Sequence, residues 1–82
     1  MNKNFKTFAG NLNNRRVTGL LWNDNKNEKS LVIFLNSNTN HWMYEGFSNN
    51  TGSITGEIPD TIMIESIENM NNLHVFLKNL FD

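Results

Sequence analysis

Five consecutive apolar residues, Leu31-Val32-Ile33-Phe34-Leu35, stand between two stretches that carry no apolar side chain, residues 23–29 and 36–40. The run is far below the ~20 residues that cross a bilayer. Its β-branched and aromatic content suits a strand. Successive strand residues point to opposite faces, so a strand apolar at every position belongs in the middle of a sheet, covered on at least one side. The flanking stretches then read as a solvated loop (23–29) and a hairpin turn (36–40).

Neighbouring segments extend this sheet. Residues 3–9 and 15–22 read as strands joined by a hairpin loop, Gly10-Asn11-Leu12-Asn13-Asn14. Gly19, in the middle of the second strand, marks a bulge or a close backbone approach. Residues 41–47, His-Trp-Met-Tyr-Glu-Gly-Phe, form a fourth strand with Trp42 and Tyr44 on one face and Met43 and Phe47 on the other. Residues 48–60, with Gly52, Gly56 and the single proline, Pro59, read as the longest irregular stretch, anchored by Ile54 and Ile58. Residues 61–65 fit either a fifth strand or a helix start.

From Ser66 the apolar spacing changes to that of a helix. Ile67, Met70, Leu73, His74, Phe76, Leu77, Leu80 and Phe81 share one side of a 3.6-residue spiral. Ser66 is the expected N-cap, and Glu68 in the first turn suits the helix dipole. The expected fold is α+β, one domain over residues 1–82: a four- to five-stranded antiparallel meander packed on one face by a C-terminal amphipathic helix. Its expected core is Leu31, Ile33, Leu35, Ile67, Met70, Leu73, Phe76, Leu77 and Leu80.

Chemistry is sparse. With no cysteine there is neither a disulfide nor a thiolate metal site, and the two histidines, His41 and His74, are not spaced as a ligand pair. His74, at the border of the apolar stripe, reads as a partly buried, satisfied histidine, and His41 as a surface residue. An enzymatic reading requires His41 in a cleft beside an acid such as Glu45. Asn23-Asp24-Asn25-Lys26-Asn27-Glu28 lacks the central glycine and closing acid of a calcium loop. Gly52-Ser53-Ile54-Thr55-Gly56-Glu57 lacks the Lys-Ser/Thr of a phosphate loop. The expectation is a protein without enzymatic activity, metal or cofactor.

Charge is uneven although the net value is only −1. Residues 1–22 carry Lys3, Lys6, Arg15 and Arg16 and no acid, whereas residues 45–82 carry six acids against Lys78. Such a distribution either makes a dipolar surface or cancels where the halves interleave.

Two features point to binding. One helix cannot cover both faces of the sheet, so aromatic side chains are left facing outward. Either Trp42 and Tyr44 or Met43 and Phe47 face away from the helix. Trp22, Trp42 and Tyr44 are the candidate contact residues, because Trp and Tyr are enriched at interface hot spots. Aromatics are also the main core material of so small a domain, and core is the favoured reading of them. Arg15 and Arg16, with Lys3 and Lys6, offer a basic patch beside aromatics and thus an alternative reading as a nucleic-acid-binding module; a solvated strand edge is the plainer account of it. A homodimer through an edge strand is a further arrangement open to such a sheet. Asparagine is over-represented, 17 of 82 residues. This motif-poor, asparagine-rich composition is like that of many small phage-encoded proteins, including inhibitors of host defence such as anti-CRISPR proteins. The likeness is one of composition, carried by no aligned motif. It implies a larger host protein as partner and the host cytosol as location. A start, Met1-Asn2-Lys3-Asn4-Phe5, without the apolar core of a signal peptide fits that cytoplasmic expectation.

Overall fold

The computed structural model describes residues 3–80. Five strands, β1 (Phe5–Leu12), β2 (Arg15–Asp24), β3 (Lys29–Asn36), β4 (His41–Ser48) and β5 (Gly52–Glu57), are followed by two helices, α1 (Asp60–Glu68) and α2 (Asn71–Lys78). The strands form one antiparallel sheet in the order β1-β2-β3-β4-β5, so each strand lies beside its predecessor. This is the expected α+β meander, with β3 at its centre.

Turn chemistry explains the connections, and asparagine supplies much of it. Leu12 pairs with Arg15 across a two-residue turn, and Asn13 and Asn14 both take positive φ, 52° and 64°. Two successive residues in that region make the turn whose twist matches a right-handed hairpin. Asn40 closes the β3–β4 loop at φ 60°, its N–H donating to the Asn36 carbonyl at 2.7 Å. Asparagine tolerates this left-handed region better than most side chains.

The register divides the sheet into two faces. Phe5, Leu20, Trp22, Leu31, Ile33, Trp42, Tyr44 and Ile54 share the first. The buried members of this set join Ile58, Leu73 and Leu77 in one core cluster. The second face carries Phe8, Leu12, Val17, Leu21, Val32, Phe34, Met43 and Phe47. A Cβ on Gly19 would stand 2.0 Å from the Ile33 carbonyl oxygen, and one on Gly46 2.1 Å from that of Ser30. Only glycine allows strands to approach so closely, which gives the mid-strand Gly19 its reason.

Several expectations are corrected. The fifth strand lies at Gly52–Glu57, inside the stretch read as irregular, and residues 61–65 are helical. One long helix is replaced by two short ones. Asn69 adopts extended angles, φ −149° and ψ 108°, and interrupts the spiral between them. Ser66 is no cap: α1 begins after Pro59, and the buried Ser66 hydroxyl donates to the Ile62 carbonyl one turn back at 2.6 Å. Of the expected core, Leu31, Ile33, Leu73 and Leu77 are fully buried, and Met70, Phe76 and Leu80 are partly buried against them. Leu35 and Ile67 are not core: they are 47% and 85% exposed. Leu35 stands near the end of β3, away from the buried cluster, and Ile67 turns outward from α1. Phe81 of the expected stripe lies outside the described residues.

Candidate docking surface

The aromatic residues read from the sequence divide sharply between interior and surface. Trp22 is completely buried. Its indole N–H donates to Nδ1 of His74 at 3.0 Å, with the rings 5.8 Å apart and tilted by 55°. The bond gives a buried donor its acceptor and requires that Nδ1 carry no hydrogen. His74 is therefore the satisfied, half-buried histidine its position on the helix implied. Tyr44 is also buried, lying over Gly56 so closely that a Cβ there would stand 2.5 Å from its hydroxyl. Burial pushes the Tyr44 phenol above its ordinary value. Trp42 alone of the three remains at the surface, half-buried at the margin of the core.

The basic residues do not form one patch. Arg15 bonds Glu45 at 3.0 Å, and its guanidinium lies 5.6 Å from the centre of the Phe34 ring. Asn13 donates to the other oxygen of Glu45. Held by Glu45, the Arg15 guanidinium lies over Phe34, which is 4% exposed although the core contacts of both helices are on the first face. Arg16 pairs with Asn11 and points to the opposite face from Arg15. Lys3 and Lys6 border a small polar cleft with Asn4, Asn23 and Asn25 at the other end of β1. Six residue steps of extended strand, about 20 Å, separate Lys6 from Leu12, the register partner of Arg15.

His41 is exposed and faces Asp60 at 3.7 Å, whereas Glu45 is engaged by Arg15 and Asn13. The cleft that an enzymatic role for a His41–Glu45 pair requires is not formed by these two side chains. The Asp24 carboxylate of the asparagine-rich loop accepts from the Asn27 amide at 2.7 Å. Among the described residues no three His, Asp or Glu side chains cluster as a metal site, and no helix is long and apolar enough to cross a membrane.

An apolar groove open to solvent lies between α1 and the Trp42 end of the sheet. A groove of about 450 Å³ is lined by Asn40, Trp42, Asp60, Met63, Ile64 and Ile67. It adjoins an apolar hollow of about 130 Å³ bordered by Leu20, Trp42, Met63, Ile67, Met70 and Leu73. Leu35, the register partner of Trp42, extends the same surface. Trp42 and Met63 take part in both hollows and also pack on the core, so the floor is anchored. Ile64 and Ile67 are 64% and 85% exposed. An isoleucine held so far into water gains nothing from folding, and clustered exposed apolar side chains mark interaction sites.

Sequence reading had singled out Trp42 but not α1. A signal was present. At 100° per residue, Ile62, Met63, Ile64 and Ile67 span roughly 200° of a helix, about twice the stripe that a single core contact needs. One part of so wide an apolar arc has to face away from the domain's own core. No protein-family model, curated protein or solved structure matches the chain.

Proposed function

We propose that this chain is a non-enzymatic binding module that docks on a larger protein through the groove floored by Trp42 and walled by α1. The observation that carries the reading is Ile67: 85% exposed, on an ordered helix, and contiguous with Ile64, Met63 and Trp42. A half-buried tryptophan in an apolar hollow has the character of an interface anchor, the kind of residue whose truncation costs about 2 kcal/mol or more of binding energy. Trp22 and Tyr44, both buried, act in this reading by holding the scaffold. Composition favours a phage-encoded inhibitor of a host protein, the class to which anti-CRISPR proteins belong.

The test is affinity capture from the native host with mass spectrometry, run in parallel on the unaltered chain, Ile67→Asp and Trp42→Ala. Ile67→Asp is the cleaner variant, because its side chain contributes little to the core. The expected result is a specific protein retained by the unaltered chain and lost from both variants, with the far-ultraviolet circular dichroism of Ile67→Asp unchanged. Retention of every partner by both variants overturns the reading.

A further inference from the structure

The groove is apolar, but its surroundings are not neutral. α1, which walls the groove, carries Asp60, Glu65 and Glu68 and no basic residue. Asp60 lines the groove itself, approached only by His41 at 3.7 Å among the described residues. The Glu65 and Glu68 carboxylates take no ion pair among them. On the helical spiral Glu68 falls beside Ile64, at the rim. An occupant therefore has to bring both apolar side chains for Trp42 and Ile67 and positive charge for this rim.

Backbone geometry narrows the choice further. Trp42 lies in β4, which is paired on both sides, by β3 and by β5. The groove exposes no unpaired strand edge along its floor, so a partner cannot enter by adding a strand there. What fits between a helix and a closed sheet face is another helix, seated by its apolar stripe. α1 has nine residues and is about 13 Å long, enough to contact two to three turns. A second copy of this chain is disfavoured, because pairing α1 with itself brings Asp60, Glu65 and Glu68 against their equals. An anionic bilayer meets the same repulsion.

Resting on the docking reading above, we infer that the groove receives a basic amphipathic helix of the partner protein. Its apolar side chains seat on Trp42, Met63 and Ile67, and its flanking lysines or arginines meet Asp60 and Glu68.

The experiment uses the full chain and three fluorescein-labelled synthetic peptides: a leucine/lysine amphipathic helix of about four turns, its leucine/glutamate twin, and a scramble of the first that keeps composition but has no apolar stripe. Anisotropy titration is expected to show saturable binding of the leucine/lysine helix alone, weakening about tenfold from low to high salt. Ile67→Asp and the double variant Asp60→Lys/Glu68→Lys are each expected to weaken it about tenfold, with thermal unfolding of both variants still cooperative. Equal binding of the glutamate twin overturns the charge preference while leaving an apolar docking surface standing. Equal binding of the scramble, or an unaltered affinity in Ile67→Asp, overturns the groove as its seat. Absence of binding by all three overturns the inference. In that case the capture experiment decides separately whether the docking reading survives.

Discussion

The two helices, adjacent in sequence and packed on each other, divide their apolar residues differently, although α1 also packs Ile62 and Met63 on the core and α2 leaves Val75 45% exposed. α2 puts Leu73 and Leu77 at zero exposure into the core and turns Asn71, Asn72 and Lys78 to water. α1 buries a serine, Ser66, whose hydroxyl is satisfied within its own helix, and turns Ile64 and Ile67 outward. Burial of a hydroxyl is tolerable once it is hydrogen-bonded, whereas an outward isoleucine forgoes the ~1.5–3 kcal/mol that its burial supplies. α2 is thus arranged for the stability of the domain. α1 holds apolar area in reserve for something that is not part of the domain, which is why the proposed function rests on it.

This contrast can be broken or sharpened by experiment. The largest expected effect is on α2: Leu77→Ala leaves a cavity in the middle of the core and costs about 3 kcal/mol, read from urea denaturation. That is a large share of the stability of a chain this small. A smaller loss is expected at the end of the same helix. The Lys29 ammonium, on a residue 3% exposed, donates to the carbonyls of Lys78 at 2.8 Å and Leu80 at 2.6 Å, where the negative end of the helix dipole adds to the attraction. Lys29→Met removes these bonds and is expected to cost about 1–3 kcal/mol by the same measurement.

A third test concerns Tyr44, which underlies the contrast from the sheet side. Its folded-state value is raised by burial, so the unfolded chain loses the phenolic proton near its ordinary value of 10.0 while the folded chain still holds it. Its contribution is therefore complete below that pH and is lost as pH rises through the folded value. The expected result is a fall in stability above about pH 10 that is shallower in Tyr44→Phe. The smallest effect is expected on α1. Ile67→Asn should change stability by no more than about 0.5 kcal/mol, because the side chain leaves no contact behind. A loss as large as that of Leu77→Ala would erase the difference between the helices.

The sheet was largely legible because alternation and turn residues agree. Leu31 to Leu35 marked the central strand, and residues 10–14 and 36–40 marked the turns, the first read too long because β1 runs on to Leu12 and only Asn13 and Asn14 turn. β5 was hidden because its sequence, Gly-Ser-Ile-Thr-Gly-Glu, holds a single large apolar residue. Gly56, which reads as a loop residue, is there because the Tyr44 ring occupies the space of its side chain. The helix pair was hidden for a different reason. Periodicity reports that apolar residues share a side but not what lies opposite that side, and the stripe from Ile67 to Leu80 continues on paper through the break at Asn69. Trp22 and Tyr44 show the same limit from the other direction. An aromatic on a strand serves a core as well as it serves an interface, and what packs over it decides: His74 of α2 meets Trp22, and Gly56 of β5 lies under Tyr44.

The meander also carries a kinetic consequence. Strands that neighbour one another along the chain can pair as soon as each turn closes, and short closures cost little chain entropy, so low sequence separation goes with rapid folding. The contact between Trp22 and His74 spans fifty-two residues, and it cannot form until nearly all of the polypeptide has been made. Indole emission from Trp22, followed in a Trp42→Phe background after dilution from urea, should then report the final locking of the C-terminal helix onto an already zipped ribbon.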